Sequence, residues 1–282
     1  MQEVVIHGHH VPAVGQGTWK MGADPSRHTA EVDALRHGIE QGLTLIDTAE
    51  MYADGGAERV VGEAIRDVRD QVFVVSKVWP THMGASDLLG ALEQSLKRLK
   101  IDAVDLYLLH WPSRHHPLAE SLGALKKAQD RGLARHVGVS NFPTPQLKQA
   151  ESVVPDLTIA ADQVEYHLEN RRAEVALIPY AAERQIAVMA YSPVKNLRSL
   201  SANDGRFQVL DTLAKKYDCT PETIALAFLI HHGSVIAIPK AVQKSHIDAN
   251  RQALELVLTS EDLAAIDRAF PPASEELEYQ AL

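Results

Sequence analysis

The stretch "DLLGALEQSLKRLKIDAVDLYLLHW" (residues 87–111) contains both halves of a unit that recurs along the chain. Its first part, 87–100, places leucines at helical intervals, so that one face is apolar and the other charged. Its second part, "VDLYLLHW" (104–111), is a short apolar run rich in valine and leucine that ends on a histidine. Runs of this kind are strands covered on both faces, and their alternation with amphipathic helices implies a parallel sheet wrapped in helices. The companion runs are "LTLIDTA" (43–49), "VFVVSKVW" (72–79), "HVGVSN" (136–141), "AADQVEY" (160–166), "IAVMAYSP" (186–193) and "VIAIPKA" (235–241). A further helix is expected at "LAESLGALKKAQDRG" (118–132), where Leu118, Leu122, Leu125 and Ala128 line one face. "LELVL" (254–258) is taken as the eighth strand. Eight such units over about 250 residues are the size of a closed (β/α)8 barrel of the α/β class. At the front, "EVVIHGHHVPAVG" (3–15) has two apolar runs around Gly8 and reads as a β-hairpin. An open doubly wound sheet would carry a glycine-rich fingerprint after its first strand. "GQGTW" (15–19) has two of the three glycines and is read as a turn.

Composition narrows the function. The chain has 282 residues, is 45% hydrophobic and carries a formal charge of −9. No linker or composition break divides it, so 1–282 reads as a single domain. The acidic balance argues against nucleic acid and anionic membranes as partners. A single cysteine, Cys219, excludes an intrachain disulfide and suits a reducing compartment. No signal peptide and no apolar run of membrane-spanning length is evident. A cytoplasmic, monomeric protein is the expectation.

In a barrel of this kind chemistry sits where the strands end. The apolar runs end in Asp47, Lys77, His110, Ser140-Asn141, Tyr191-Ser192 and Lys240, and the fifth carries Gln163 and Tyr166-His167. Each residue alone has an ordinary explanation: the aspartate caps a turn, the lysine is solvated, the histidine is a satisfied core residue. Together in one cleft, a charged pair and an imidazole are costly unless paired or used. Tyr52 follows Asp47 by five residues. An ammonium beside a phenol lowers its pKa, so Lys77, anchored by Asp47, would tune Tyr52 as a proton donor. His110 would orient a carbonyl oxygen. The matching reaction is carbonyl reduction, and since no side chain supplies hydride, a nicotinamide cofactor is implied.

At this point the chain resembles the aldo-keto reductase superfamily over nearly its whole length. "LIDTA…Y", "VVSKVW", "DLYLLHWP", "VGVSNF", "DQVEYH", "AYSP" and "IPKA" stand in the family's order and spacing. The resemblance implies a barrel closed at the bottom by the N-terminal hairpin, with NAD(P)H across the mouth. It implies a catalytic tetrad of Asp47, Tyr52, Lys77 and His110. Ser140, Asn141 and Gln163 would hold the nicotinamide carboxamide, Tyr191 would stack on the ring, and Ser192 would meet the pyrophosphate. Lys240, His246 and Asn250 would serve the adenosine end, and Trp19, Trp79 and Trp111 would wall the substrate pocket. Bacterial members that reduce methylglyoxal and other small aldehydes are the most similar in motif. A keto sugar acid as substrate, or a regulatory module that binds NADPH with little turnover, are the alternatives. A metal-dependent barrel using Asp47, His110 and His167 is disfavoured, because no second carboxylate beyond Glu165 converges on them.

Three departures from the family pattern stand out. "ADGGAE" (53–58) lengthens the loop after Tyr52. In "IPKAVQKSHIDAN" (238–250), Ala241 replaces a serine and His246 an arginine at the phosphate site, with Lys244 as a substitute cation. NADPH is still expected, with NADH tolerated. The tail "PPASEELEYQAL" (271–282) is short and acidic, which suggests a reduced, open gate. The histidines of "HGHH" (7–10) and "RHH" (114–116) read as solvated turn and loop residues, and no metal is expected. "HH" (231–232) suits a helix C-terminus. Thr220 is expected to cap the helix after Cys219.

Overall fold

Parity along the strands determines which side chains meet. The computed structural model describes residues 1–154 and 156–282. It opens with the antiparallel hairpin β1 (Glu3–Ile6) and β2 (His9–Pro12). Eight parallel strands follow: β3 (Gln16–Gly17), β4 (Leu45–Asp47), β5 (Phe73–Val78), β6 (Val104–Leu109), β7 (Ala134–Ser140), β8 (Ile159–Glu165), β9 (Ala187–Tyr191) and β10 (Val235–Ala237). They pair in sequence order. The sheet closes on itself where Gly15 N–H donates to Ala237 O (2.8 Å), Ala237 N–H to Ala13 O (2.8 Å) and Gly17 N–H to Pro239 O (3.0 Å). The helices between them are α1 (His28–Glu40), α2 (Gly56–Ala64), α3 (Asp87–Leu99), α4 (Leu118–Asp130), α5 (Thr144–Val153), α6 (Leu177–Glu183), α7 (Gly205–Lys216), α8 (Pro221–Ile230) and α9 (Lys244–Gln252), with α10 (Ser260–Ala269) at the end. The architecture is the expected (β/α)8 barrel with an N-terminal hairpin.

Two apolar layers hold it together. One fills the barrel with Leu45, Val75, Leu106, Leu108, Ala161, Met189 and Ile236. The other lies between sheet and helices and includes Ile46, Val74, Tyr107, Leu109, Val164 and Val188. Successive residues of a strand point to opposite faces, so these sets alternate. Continuing the inward set by two residues reaches Asp47, Lys77, His110, Gln163 and Tyr191. Tyr166 has the opposite parity and is buried in the outer layer, where its hydroxyl donates to Glu174 (2.7 Å).

Local signals explain the helix ends. Thr220 accepts from Thr223 N–H (3.1 Å), with Pro221 in the first turn of α8. Thr259 and Asp262 form a reciprocal capping box on α10. Among the described residues no helix is long and apolar enough to cross a membrane.

One strand assignment is corrected. Residues 254–258 form no strand; Ala253–Glu255 is a 3₁₀ turn and the chain beyond it is unpaired with the sheet. The missing strand is Gln16–Gly17, inside the segment read as a turn. Two residues are too short to show alternation. Tertiary neighbours on both sides place them, and a Cβ on Gly17 would come within 2.7 Å of Ile238 O.

Candidate active site

Lys77, at the end of β5, is fully buried and surrounded by acceptors. Its ammonium donates to Asp47 Oδ2 (2.8 Å), to the Thr48 carbonyl (2.9 Å) and to the Tyr52 hydroxyl (3.1 Å). Gln163 Nε2 donates to the other oxygen of Asp47 (2.8 Å), so both carboxylate oxygens are engaged. Burial alone would push Lys77 down, but Asp47 first and then Tyr52 reverse this and its pKa lies above the ordinary value. The expected pairing of Asp47, Lys77 and Tyr52 is therefore present in the geometry.

The tuning of Tyr52 differs from the sequence-based expectation. Burial raises its pKa, and the opposing pull of Lys77 does not overcome it. The ammonium lies closer to Asp47 than to the phenol, and Asp47 itself disfavours the phenolate. Tyr52 is thus a neutral hydroxyl at pH 7, which is the form a proton donor requires.

His110 follows β6. Its ring meets Tyr52 edge-on at 5.8 Å and Trp79 at 5.4 Å between centroids. Burial, and then the charge of Lys77, hold it well below the ordinary histidine value. The ring is neutral. Among the described residues Nδ1 is buried without a partner, and a proton there would be an unsatisfied donor. The N–H is therefore placed on Nε2, the nitrogen left to serve the cavity.

Asp47, Tyr52 and His110 line a cavity of about 530 Å³, together with Trp19, Trp79, Trp111, Met51, Ser140, Asn141, Gln163, Tyr191 and Ser192, while Lys77 stays buried behind Tyr52. All three tryptophans border it. Trp19 is 49% exposed and lies edge-on to Tyr52 at 4.9 Å. Of the strand-end residues, Tyr166 and His167 do not line this cavity. Tyr166 faces outward as described above, and His167 lies 3.5 Å from Glu165.

One wall of the cavity is a polar network. Ser140 Oγ donates to Gln163 O (2.7 Å), Asn141 Nδ2 to His110 O (3.1 Å), and the Tyr191 hydroxyl to Asn141 Oδ1 (3.0 Å). Asn141 (φ +64°) and Ser192 (φ +53°) hold left-handed backbone conformations, a strain that persists where surrounding structure enforces it. At Val194, Pro239 and Lys240 the cavity adjoins a second one of about 810 Å³, lined by His246, Ala249 and Asn250 and by Arg27, Arg198 and Glu222. Lys240 is held below its ordinary value by burial and then by Arg27. Two adjoining cavities, one with a strained polar wall and the other rich in cations, fit a dinucleotide: amide-binding groups line the first and positive charge lines the second.

Lys244 is not among the residues lining the second cavity; the additional cations there are Arg27 and Arg198. Arg198 stands in "YSPVKNLRSL" (191–200), where nothing in the local pattern distinguishes it from a solvated arginine. The tail also departs from expectation. It is docked, not open: Leu282 N–H donates to Pro112 O (3.0 Å), Arg114 N–H donates to Leu282 O (2.9 Å), and Glu278 pairs with Arg172 (3.0 Å). Leu277, Glu278 and Gln280 line a small side cavity of about 120 Å³ that shares Trp111, Asn141 and Tyr191 with the main one. Cys219 is partly buried, and its thiol is pushed up to about 11 by burial, which leaves it unreactive. Among the described residues no cluster of three His, Cys, Asp or Glu side chains is arranged to hold a metal ion.

Comparison with known proteins places this geometry in context. The profile of the aldo/keto reductase family matches residues 13–270. Methylglyoxal reductase YeaE of Escherichia coli K12 is 44% identical over 261 residues, 93% of this chain and 92% of that protein. Methylglyoxal reductase DkgB of Yersinia pestis is 30% identical over 263 residues, 91% of this chain and 92% of that protein. An aldo/keto reductase from Klebsiella pneumoniae, solved in complex with NADP and acetate, superposes with a TM-score of 0.90 at 41% identity, covering 100% of this chain and 99% of that one.

Proposed function

The chain belongs to the aldo/keto reductase family, and from that premise we propose that it reduces small aldehydes and ketoaldehydes of the methylglyoxal type to alcohols, with NADPH as reductant. The observation that carries this is the buried Tyr52–Lys77–Asp47 chain opening, beside a neutral His110, into a cavity walled by three tryptophans. Named relatives that reduce methylglyoxal, and a neighbour solved with NADP, support the substrate and cofactor classes. The barrel spanning 1–282 acts as one domain, and a cytoplasmic monomer is the accompanying proposal.

When bound, the nicotinamide would supply a hydride to the carbonyl carbon. Ser140, Asn141 and Gln163 would hold its carboxamide end and Tyr191 would pack against the ring. Ser192, Lys240 and Asn250 would serve the remainder of the dinucleotide. The carbonyl oxygen sits between Tyr52 and His110. His110 donates its N–H to that oxygen and orients the carbonyl. As negative charge develops, Tyr52 gives up its proton to the oxygen, and the resulting phenolate is stabilised by Lys77 at 3.1 Å. Asp47 holds the ammonium in place and offsets the cost of burying it. Trp19, Trp79 and Trp111 exclude water and favour small apolar substituents on the carbonyl. Solvent then reprotonates Tyr52 after product leaves.

The test is NADPH oxidation by purified protein with methylglyoxal, wild type beside Tyr52→Phe. Wild type is expected to turn over, and the mutant to lose roughly 10²–10⁴-fold in kcat while binding NADPH normally. Equal rates in the two proteins would remove Tyr52 from the mechanism. Tight NADPH binding with no turnover across a panel of aldehydes would overturn the assignment as a reductase.

A further inference from the structure

The second cavity contains a charge arrangement that the reaction does not use. Its walls include the turn Leu197–Ser199, the start of α8, the start of α9, the segment 239–243 and Arg27. Arg27, Arg198, Lys240 and His246 line it, against one carboxylate among the described residues, Glu222. Arg198 Nε donates to Glu222 Oε1 at 3.0 Å, and its Nη2 stands 3.5 Å from His246 Nε2. Its Nη1 makes no hydrogen bond among the described residues. The first turn of α9, whose Ser245 and His246 line the cavity, has no acidic residue and no side-chain cap. Arg198 is therefore half engaged. One edge of the guanidinium is held by a carboxylate, and the rest lies beside an imidazole.

We propose that Arg198 is the residue that reads a phosphate monoester on the adenosine ribose of the cofactor, with His246 beside it, and that Glu222 is the counter-group that holds Arg198 until the phosphate replaces it. The inference rests on the reading of the protein as an NADPH-dependent reductase and specifies which side chains make the nucleotide choice. A guanidinium binds a phosphate through paired, charge-assisted hydrogen bonds, and a dianion competes well for it against a single carboxylate. A ribose hydroxyl offers no such charge, so with NADH the Arg198–Glu222 pair stays intact and neither gains nor loses. Glu222 also repels the incoming phosphate, which tempers the preference for NADPH. Discrimination is thus supplied from the turn after β9, a different segment from the one that carries Lys240, His246 and Asn250.

Direct binding tests this without turnover. Quenching of intrinsic tryptophan fluorescence by NADPH and by NADH is titrated on wild type, Arg198→Ala, Arg198→Lys and Glu222→Gln. Because the Arg198 side chain is 66% exposed, its substitution leaves the core untouched. Arg198→Ala is expected to weaken NADPH roughly 10–100-fold, the loss of charge-assisted hydrogen bonds, with NADH unchanged within about twofold. Arg198→Lys restores part of the loss, because it keeps charge and loses the fork. Glu222→Gln tightens NADPH severalfold and leaves NADH alone. Equal weakening of both nucleotides by Arg198→Ala, or no change in either, would overturn the proposal and leave the reductase reading standing. Wild type that binds neither nucleotide would overturn both.

Discussion

Lys77 has three acceptors within 3.1 Å and is fully buried. Its replacement therefore does more than remove a charge. Lys77→Met leaves Asp47 buried, with only Gln163 as a partner. Breaking a buried pair in this way costs about 3–5 kcal/mol, measurable as a drop in the urea midpoint. The double substitution Asp47→Asn with Lys77→Met should recover most of that loss, since no orphaned charge remains, yet stay inactive. The neighbouring histidine makes a second prediction. His110 titrates well below the ordinary histidine range, and Tyr52 above the ordinary phenol value. The required state, neutral imidazole and protonated phenol, thus holds across neutrality. The kcat/KM profile should be flat through about pH 6–8, with no acid limb near the unperturbed histidine value of about 6.5. Activity should fall only on the alkaline side, as Tyr52 loses its proton. An acid limb near pH 6.5 would show that the imidazole is not desolvated as described.

At the scale of elements, the loop that delivers Tyr52 is held from behind. Ala53, Asp54 and Gly55 are successive residues at positive φ, a local conformation that needs outside support. Glu58, in the first turn of α2, supplies an anchor. It is fully buried, accepts from Ser76 Oγ on β5 (2.7 Å) and pairs with Arg98 of α3 (2.6 Å). The Arg98 side chain also covers Gly55, where a Cβ would come within 2.4 Å of it. Arg98→Ala should destabilise the protein by about 3–5 kcal/mol, because Glu58 remains as an uncompensated buried charge. In the fraction that stays folded, kcat should fall while NADPH affinity is kept, since only the Tyr52 loop loses its support. Unchanged stability in a denaturant titration would mean that Ser76 alone satisfies Glu58. The extra length of this loop was legible as "ADGGAE", but its left-handed course was not. Only Gly55 and Gly56 announce such freedom, and Ala53 and Asp54 follow from packing.

Over the whole molecule, the hairpin and the barrel floor meet through aromatic rings. His7 and His9 lie edge-on to His136 of β7, at 5.6 and 5.0 Å, and Phe73 stacks on it at 6.4 Å. Burial first, then the neighbouring His9 and His7, lower His136 to about 4; Asp105 opposes and Arg135 adds to the shift. In the unfolded chain this histidine titrates near 6.5. Between those values the unfolded state binds the proton and the folded state does not, so stability rises with pH across that window and is lost on acidification through it. Glu165 and Glu174, both held at about 2, contribute only at more acidic pH. The melting temperature should therefore fall between about pH 6.5 and 4, and His136→Phe, which keeps the ring contacts, should make that fall shallower. An unaltered slope in the variant would place the acid sensitivity in other histidines that desolvation lowers, such as His110 or His231.

What the sequence determined by itself was the unit, the order and the chemistry. Apolar runs alternating with amphipathic helices compel a covered parallel sheet, because each face must be buried. Strand parity then aims Asp47, Lys77, His110, Gln163 and Tyr191 at one mouth. These are local and periodic properties, and they survive in one dimension. The tertiary structure alone decided four things. It made Gln16–Gly17 a strand and 254–258 not one, because two residues gain their hydrogen bonds only from neighbours on both sides. It set the protonation of Tyr52, where desolvation outweighs a cation whose charge Asp47 shares. It docked the tail on residues 112–114. It brought Arg198, Glu222 and His246 into one cavity from three distant segments. Burial and long-range contact are sums over the whole fold, and no short pattern of residues encodes them.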